Sequence, residues 1–260
     1  MKISEEQLHQ FNEDGYFVLK RVVPDGWVQM LREECSYFIG LKDQELEKKG
    51  DATSGITHKG KRYFISRQYR KSSRLWRFIF SDLMAEICRA TLGKEAYLFN
   101  EQWVVKGANL GMSFAWHQDS GYVKFRDPHT RHKSYLSCWV ALDDVNERNG
   151  TIYLLPHSQA GTKNHILNHH REEGTNDLIG YTDNDPGVPI NTTAGSMVCF
   201  SSTSLHRSGA NTTEDMRRVY LMQYSAEPLL SSDGILWGEA VPFVKDGVNI
   251  YDPAKDGLEL

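Results

Sequence analysis

Ala96-Tyr-Leu-Phe-Asn-Glu-Gln-Trp-Val-Val105 carries aromatic or β-branched residues at most positions and follows Gly93, where the character of the chain changes. Such side chains suit a pleated, half-buried backbone, so this stretch reads as a β-strand. Downstream, Tyr135–Leu142, Thr151–Leu155, Ser196–Phe200 and Arg218–Tyr224 have the same character. Asn149-Gly150, just ahead of Thr151, is a hairpin signal. Gly161 to Pro189 is polar and rich in Gly, Asp and Asn; it reads as a long insertion, a kind of loop that often carries function.

Upstream of Gly93 the pattern is helical. Ser4 can cap a short helix that runs to Asp14 and stops at Gly15, and Tyr16–Leu19 then reads as a strand. Pro24-Asp25 starts a second helix, with Trp27, Met30, Leu31 and Cys35 on one face. Lys42 to Thr57 is charged and reads as a mobile surface loop. A third helix is predicted from Ser73 to Leu92, its stripe formed by Leu75, Trp76, Phe78, Ile79, Leu83 and Ile87. Helices followed by many strands predict an α+β, mainly β, chain built on a double-sheet β-roll, with the helices packed outside. One domain over 1–260 is expected: a helical part, 1–92, and a roll, 93–260, with the 161–189 insertion.

Composition narrows the function. The 260 residues are 40% hydrophobic and 25% charged, with a formal net charge of -4. That is ordinary globular composition without the basic excess of a nucleic-acid binder. The N-terminus has no signal-peptide core and no eighteen-residue apolar run exists, so neither secretion nor a membrane span is expected. Cys35, Cys88, Cys138 and Cys199 form no C-x-x-C pair and read as reduced, buried thiols of a cytoplasmic protein.

The sharpest local feature is Trp116-His117-Gln118-Asp119. Two positions apart on an extended backbone face the same side, so His117 and Asp119 converge on one point. His206 follows the strand ending at Phe200 and supplies a third ligand candidate. Two histidines and a carboxylate on one face of an octahedral metal are the donor set of non-haem Fe(II) oxygenases. Arg217, early in the next strand, can hold a carboxylate of a 2-oxo acid bidentately. Regular alternation sends Arg218 to the opposite face, unless a bulge swaps the two. A lone His-x-Asp pair arises readily by chance among 10 histidines and 34 acids; the ordered set with Arg217 is far more specific.

These residues sit in four blocks: EEQLHQFNEDGYFVLKRVVP at 5–24, WHQDSGYVKF at 116–125, CWVALDDVNERNGTIYLLPHSQAG at 138–161 and AGSMVCFSSTSLHRSGANTTEDMRR at 194–218. In this order and spacing the chain resembles the phytanoyl-CoA dioxygenase family of Fe(II)/2-oxoglutarate-dependent oxygenases over nearly its whole length. The resemblance implies a double-stranded β-helix (jelly-roll, cupin-like) core. It also implies Fe(II) on His117, Asp119 and His206, 2-oxoglutarate on Arg217, and O₂ as the oxidant. By match to the family, Ser208, Trp139, Gln102 and Gln118 contact the co-substrate. Trp139 can equally be a core residue and Gln102 a partner of a neighbouring strand.

The implied activity is hydroxylation of a small organic metabolite with release of succinate and CO₂. Related halogenases lack the carboxylate, so Asp119 favours hydroxylation, or a desaturation or ring variant, over halogenation. Substrate walls are expected from Asn100, Lys106, Phe114, Trp116, Tyr122 and the 161–189 loop. Lys106, placed near the mouth, and the basic run Lys124, Arg126, Arg131, His132 and Lys133 are compatible with an acidic substrate, and equally with solvated charges. An acyl-CoA is one option, with no residue selecting coenzyme A. Asp143, Asp144 and His157 read as structural, and His169-His170 as solvated or part of a lid. The partners expected are a small molecule, no nucleic acid and no membrane. Two other readings compete: a non-catalytic jelly-roll metabolite-binding protein, and a cupin-type metalloenzyme using another metal. The intact triad with Arg217 argues against the first, and the lack of a His-x-His pair against the second.

Overall fold

The computed structural model describes residues 3–109 and 111–259. In chain order the principal elements are α1 (Glu5–Asp14), β1 (Tyr16–Leu19), α2 (Asp25–Lys49), β2 (Arg62–Ser66), α3 (Leu75–Ile79), α4 (Asp82–Leu92) and β3 (Ala96–Lys106). There follow β4 (Phe114–His117), α5 (Asp119–Arg126), β5 (Leu136–Ala141), β6 (Ile152–Leu155) and β7 (Val188–Pro189). The last are β8 (Met197–Ser201), β9 (Leu205–Ser208), β10 (Arg217–Ser225) and β11 (Val241–Lys245).

Two antiparallel sheets make the jelly roll. The larger runs β1-β8-β5-β10-β3-β2, with β11 on the far end of β3; the smaller runs β7-β6-β9-β4. Strand β5 explains the layering. Leu136, Cys138 and Val140 pack outward with Leu31, Phe38, Phe78, Ile79 and Met84 of the helices. Trp139 and Ala141 point inward, where Val198, Phe200, Val219 and Leu221 meet Ile152 and Leu154 of the small sheet. A strand covered on both faces reads as a continuous apolar run, which is why 135–142 lacks polar alternation. Each large aliphatic side chain buried there contributes about 2 kcal/mol.

The helix ends follow their residues. Ser4 and Gln7 form a reciprocal capping box, and Gly15 ends α1 at φ 85°. Gly15 also has no room for a side chain: a Cβ would lie 2.4 Å from the His157 ring and from Ser204 Oγ. Two boundaries differ from the sequence reading. Lys42–Lys49 is not a loop but the last turns of α2; Leu46 is buried, Glu45 pairs with Lys42 and Lys49, and Gly50 at φ 70° makes the cap. The predicted 73–92 helix is two helices, because the Ser81 hydroxyl accepts from Met84 N–H and starts α4 afresh. Asn149-Gly150 closes not a two-residue hairpin but a single 3₁₀ turn capped by Asn146. Among the described residues no helix is long and apolar enough to cross a membrane.

Candidate active site

His117 ends β4 and Asp119 opens α5, so the two do not share one strand as the sequence suggested. Their convergence survives because Gln118 between them is still extended, at φ −111° and ψ 139°. His206 on β9 is the direct cross-strand partner of His117, and the ring centroids are 4.0 Å apart. One ligand atom from each of the three lies within 4.8 Å of the others. Asp119 Oδ1 is 4.0 Å from His117 Nε2 and 3.7 Å from His206 Nε2.

Each donor is oriented from behind. His117 Nδ1 is 2.8 Å from the Ala115 carbonyl and His206 Nδ1 is 3.1 Å from the Ser204 carbonyl. A carbonyl can only accept, so both Nδ1 atoms carry the proton and both Nε2 lone pairs face the shared point. Burial, reinforced by His206, holds the His117 pKa well below the usual imidazole value, and the ring is neutral as a ligand must be. Asp119 Oδ2 accepts from the Ser137 hydroxyl and from Gln223 Nε2 at 2.9 Å, which leaves Oδ1 for the centre. Asn100 Nδ2 in turn donates to Gln223 Oε1.

A bulge shapes the surroundings. His206 pairs with His117 but Ser208 pairs with Phe114, so β4 holds one extra residue. Phe114 and His117 therefore face the same interior, edge to face with centroids 4.4 Å apart. Trp116 turns away and packs on Leu155 and Leu205, so it is not a wall of the site.

An inner chamber lies beyond the triad. Arg217, Ser208, Trp139, Gln102, Lys106 and the triad all line it. Arg62, Lys106 and Arg217 stand side by side on β2, β3 and β10, each about 1% exposed. Asp177 neutralises Arg62 through two hydrogen bonds, at 2.6 and 3.0 Å. Among the described residues Arg217 has no such partner: it donates to the carbonyls of Val104 and Gly150, and its buried Nε–H meets nothing. Burial pulls its pKa down to about 9, only partly offset by the charge of Asp143. Arg218 points the other way, onto Asp143, as alternation predicts. Lys106 is neither at the mouth nor in solvent; it is buried, donates to the Met112 carbonyl, and burial with Arg217 and Arg62 drives its pKa far down. The donor set suits iron, and the unpaired guanidinium suits a carboxylate of a bidentate co-substrate.

An outer chamber of about 580 Å³ adjoins the inner one at the triad. Phe64, Gln102, Phe114, His117 and Asp119 border both chambers. Asn100, Tyr122 and, from the long loop, Arg171, Asn176 and Leu178 line the outer one, as does Arg126 of the basic run. Gln118 borders neither. Its amide is consumed by the loop: Nε2 donates to the carbonyls of His165 and Thr203, and Oε1 accepts from Leu167 N–H. His169 is not solvated, for its Nε2 accepts from Gln118 N–H. Its ring fills the space beside Gly121 and Gly180, where added Cβ atoms would lie 2.2 and 2.3 Å away.

The model of the phytanoyl-CoA dioxygenase family matches residues 11–219. The chain belongs to that family. As a phytanoyl-CoA dioxygenase family member it is an iron- and 2-oxoglutarate-dependent dioxygenase, and the His-Asp-His cluster fits the metal. Among curated relatives, the ectoine dioxygenase of Bordetella bronchiseptica is 26% identical over 86% of this chain and 76% of its own. The methylphosphonate hydroxylase of Gimesia maris is 24% identical over 86% and 81%. EctD from S. alaskensis, solved with 2-oxoglutarate and 5-hydroxyectoine, shares the fold: TM-score 0.69, 20% identity, covering 94% of this chain and 86% of that one.

The sequence reading of this family member passed over Ser137 and Gln223. A signal existed: each is a polar residue inside an otherwise apolar strand, Leu-Ser-Cys and Met-Gln-Tyr. Cross-strand pairing of the two, invisible in one dimension, is what aims both at Asp119.

Proposed function

We propose that His117, Asp119 and His206 hold the iron, and that Arg217, with Ser208, Trp139 and Gln102 around it, receives 2-oxoglutarate in the inner chamber. The outer chamber takes a small organic substrate, which is hydroxylated while 2-oxoglutarate and O₂ become succinate, CO₂ and the inserted oxygen. The observation that carries this reading is the shared border: the same His117 and Asp119 face both chambers. A centre there touches co-substrate on one side and substrate on the other.

Iron with 2-oxoglutarate supplies the oxidising power for an unactivated C–H bond; the protein supplies position and shelter. The carbonyls of Ala115 and Ser204 fix both imidazoles. Ser137 and Gln223 fix the carboxylate. Phe64, Phe114 and Tyr122 keep the space beside the triad apolar and restrict water. Retention of Asp119 supports oxygen insertion over halogenation. The relatives named for ectoine and for methylphosphonate support a small substrate. The test is Fe(II)-dependent release of labelled CO₂ from carboxyl-labelled 2-oxoglutarate. Wild type is expected to release it and His206→Ala to release none; equal release by both contradicts the ligand set.

A further inference from the structure

The charge of the outer chamber is one-sided. Among the described residues its only carboxylate is Asp119, already committed to the triad, whereas Arg67, Arg126 and Arg171 all line it. The chain as a whole carries a formal charge of -4, so three cations without a free anion do not reflect its average. Among the described residues none of the three arginines has a carboxylate within ion-pair distance. Two lie on aromatic walls: the Arg126 guanidinium sits 5.9 Å from the Trp237 ring centroid and that of Arg171 5.5 Å from Phe125. Such stacking holds a planar cation in place without neutralising it. Arg67 adopts φ 57°, a left-handed conformation that is costly for a residue with a side chain. Its N–H donates to the Glu101 carbonyl, and the next N–H, of Gln68, to the Glu101 carboxylate, which together impose that conformation. The indole N–H of Trp237, which also lines the chamber, is buried without a partner among the described residues.

We propose that the substrate is an amphiphilic oxyanion. Its carboxylate, phosphate or phosphonate is received by Arg67, Arg126 and Arg171, and its carbon body lies over Phe64, Phe99 and Tyr135 with a C–H bond toward the triad. This rests on the reading that the outer chamber receives the substrate. All three arginines are exposed; charge at such a rim attracts and orients an anion through water, and salt weakens the effect.

The test uses matched hexyl probes on the anaerobic holoenzyme with 2-oxoglutarate: hexanoate, hexylphosphonate, hexan-1-ol and hexylamine. Binding is followed by calorimetry, which reads the rim whether or not the iron assignment is right. The visible band of the iron–2-oxoglutarate complex is recorded separately and reports on that assignment alone. The anions should bind roughly tenfold more tightly than the alcohol, with the amine weakest. The combined variant Arg67→Gln, Arg126→Gln, Arg171→Gln should lose that preference, and each single variant part of it. Hexanoyl-CoA against hexanoate distinguishes nucleotide phosphates from a free carboxylate as the source of the charge. Equal or tighter binding of the alcohol or amine, an anion preference that survives in the variants, or no binding of any probe at millimolar concentration overturns the proposal.

Discussion

Arg217 and Lys106 lie directly opposite each other on β10 and β3, both fully buried, and among the described residues no carboxylate forms an ion pair with either. Charge on both would repel in a low-dielectric interior and cost desolvation, and burial beside Arg217 already drives the Lys106 pKa far down. The arrangement becomes favourable once a dianion enters the inner chamber. Arg217→Gln is therefore expected to raise the KM for 2-oxoglutarate on the order of a hundredfold, as loss of a buried charge-assisted contact does. The melting temperature of the variant without ligand should stay level or rise. Steady-state kinetics and thermal melts together check this. A lowered melting temperature with an unchanged KM would assign Arg217 to the core alone.

Ser137 and Gln223 act through Asp119. Ser137→Ala and Gln223→Leu each remove one of the two hydrogen bonds that hold Asp119 Oδ2 and loosen the carboxylate. Iron affinity should fall about 10- to 100-fold, the usual effect of losing a partner behind a ligand. Competition with a coloured chelator measures it. Circular dichroism should stay unchanged.

Glu101 sets a pH dependence of stability. Its carboxylate is buried and accepts from the N–H groups of Gln68 and Tyr69 and from the Tyr220 hydroxyl. Burial outweighs these bonds and pushes its pKa up to about 7, from 4.5. The unfolded chain thus loses this proton at lower pH than the folded one. The contribution of Glu101 to stability is full below pH 4.5 and declines as pH rises through about 7. The loss is on the order of 3 kcal/mol. Denaturant unfolding of wild type and Glu101→Gln from acid to pH 8 should show this slope only in wild type.

Gly121→Ala tests the anchoring of the long loop. In a helix, alanine is normally better than glycine. Here the new Cβ falls 2.2 Å from the His169 ring, so steric conflict outweighs propensity. The variant should lose stability and become sensitive to proteolysis between 161 and 189. Adding His169→Ala should restore part of the loss, a coupling that a double-mutant cycle reads.

These residues also show what a one-dimensional reading can reach. Spacing alone predicted that His117 and Asp119 converge, and they do because Gln118 keeps the extended geometry that the rule assumes. Alternation alone separated Arg217 from Arg218. Trp116 is adjacent to His117, so alternation itself turns it away from the site; the bulge, a property of the pairing with β9 rather than of β4, is what brings Phe114 to the interior. Lys106 was misplaced because its depth is set by its neighbours Arg62 and Arg217, on strands far away in sequence. The charged run 42–49 looked like a loop, since a helix held by Leu46 and the Glu45 pairs shows little apolar periodicity.

The most direct measurement is an anaerobic titration of metal-free protein with Fe(II) and 2-oxoglutarate, followed by visible absorption, on wild type and Arg217→Gln. The account predicts a weak charge-transfer band that needs both components, saturates at one iron per chain in wild type, and requires far more 2-oxoglutarate in the variant. A folded, iron-loaded wild type that gives no band with 2-oxoglutarate would contradict it.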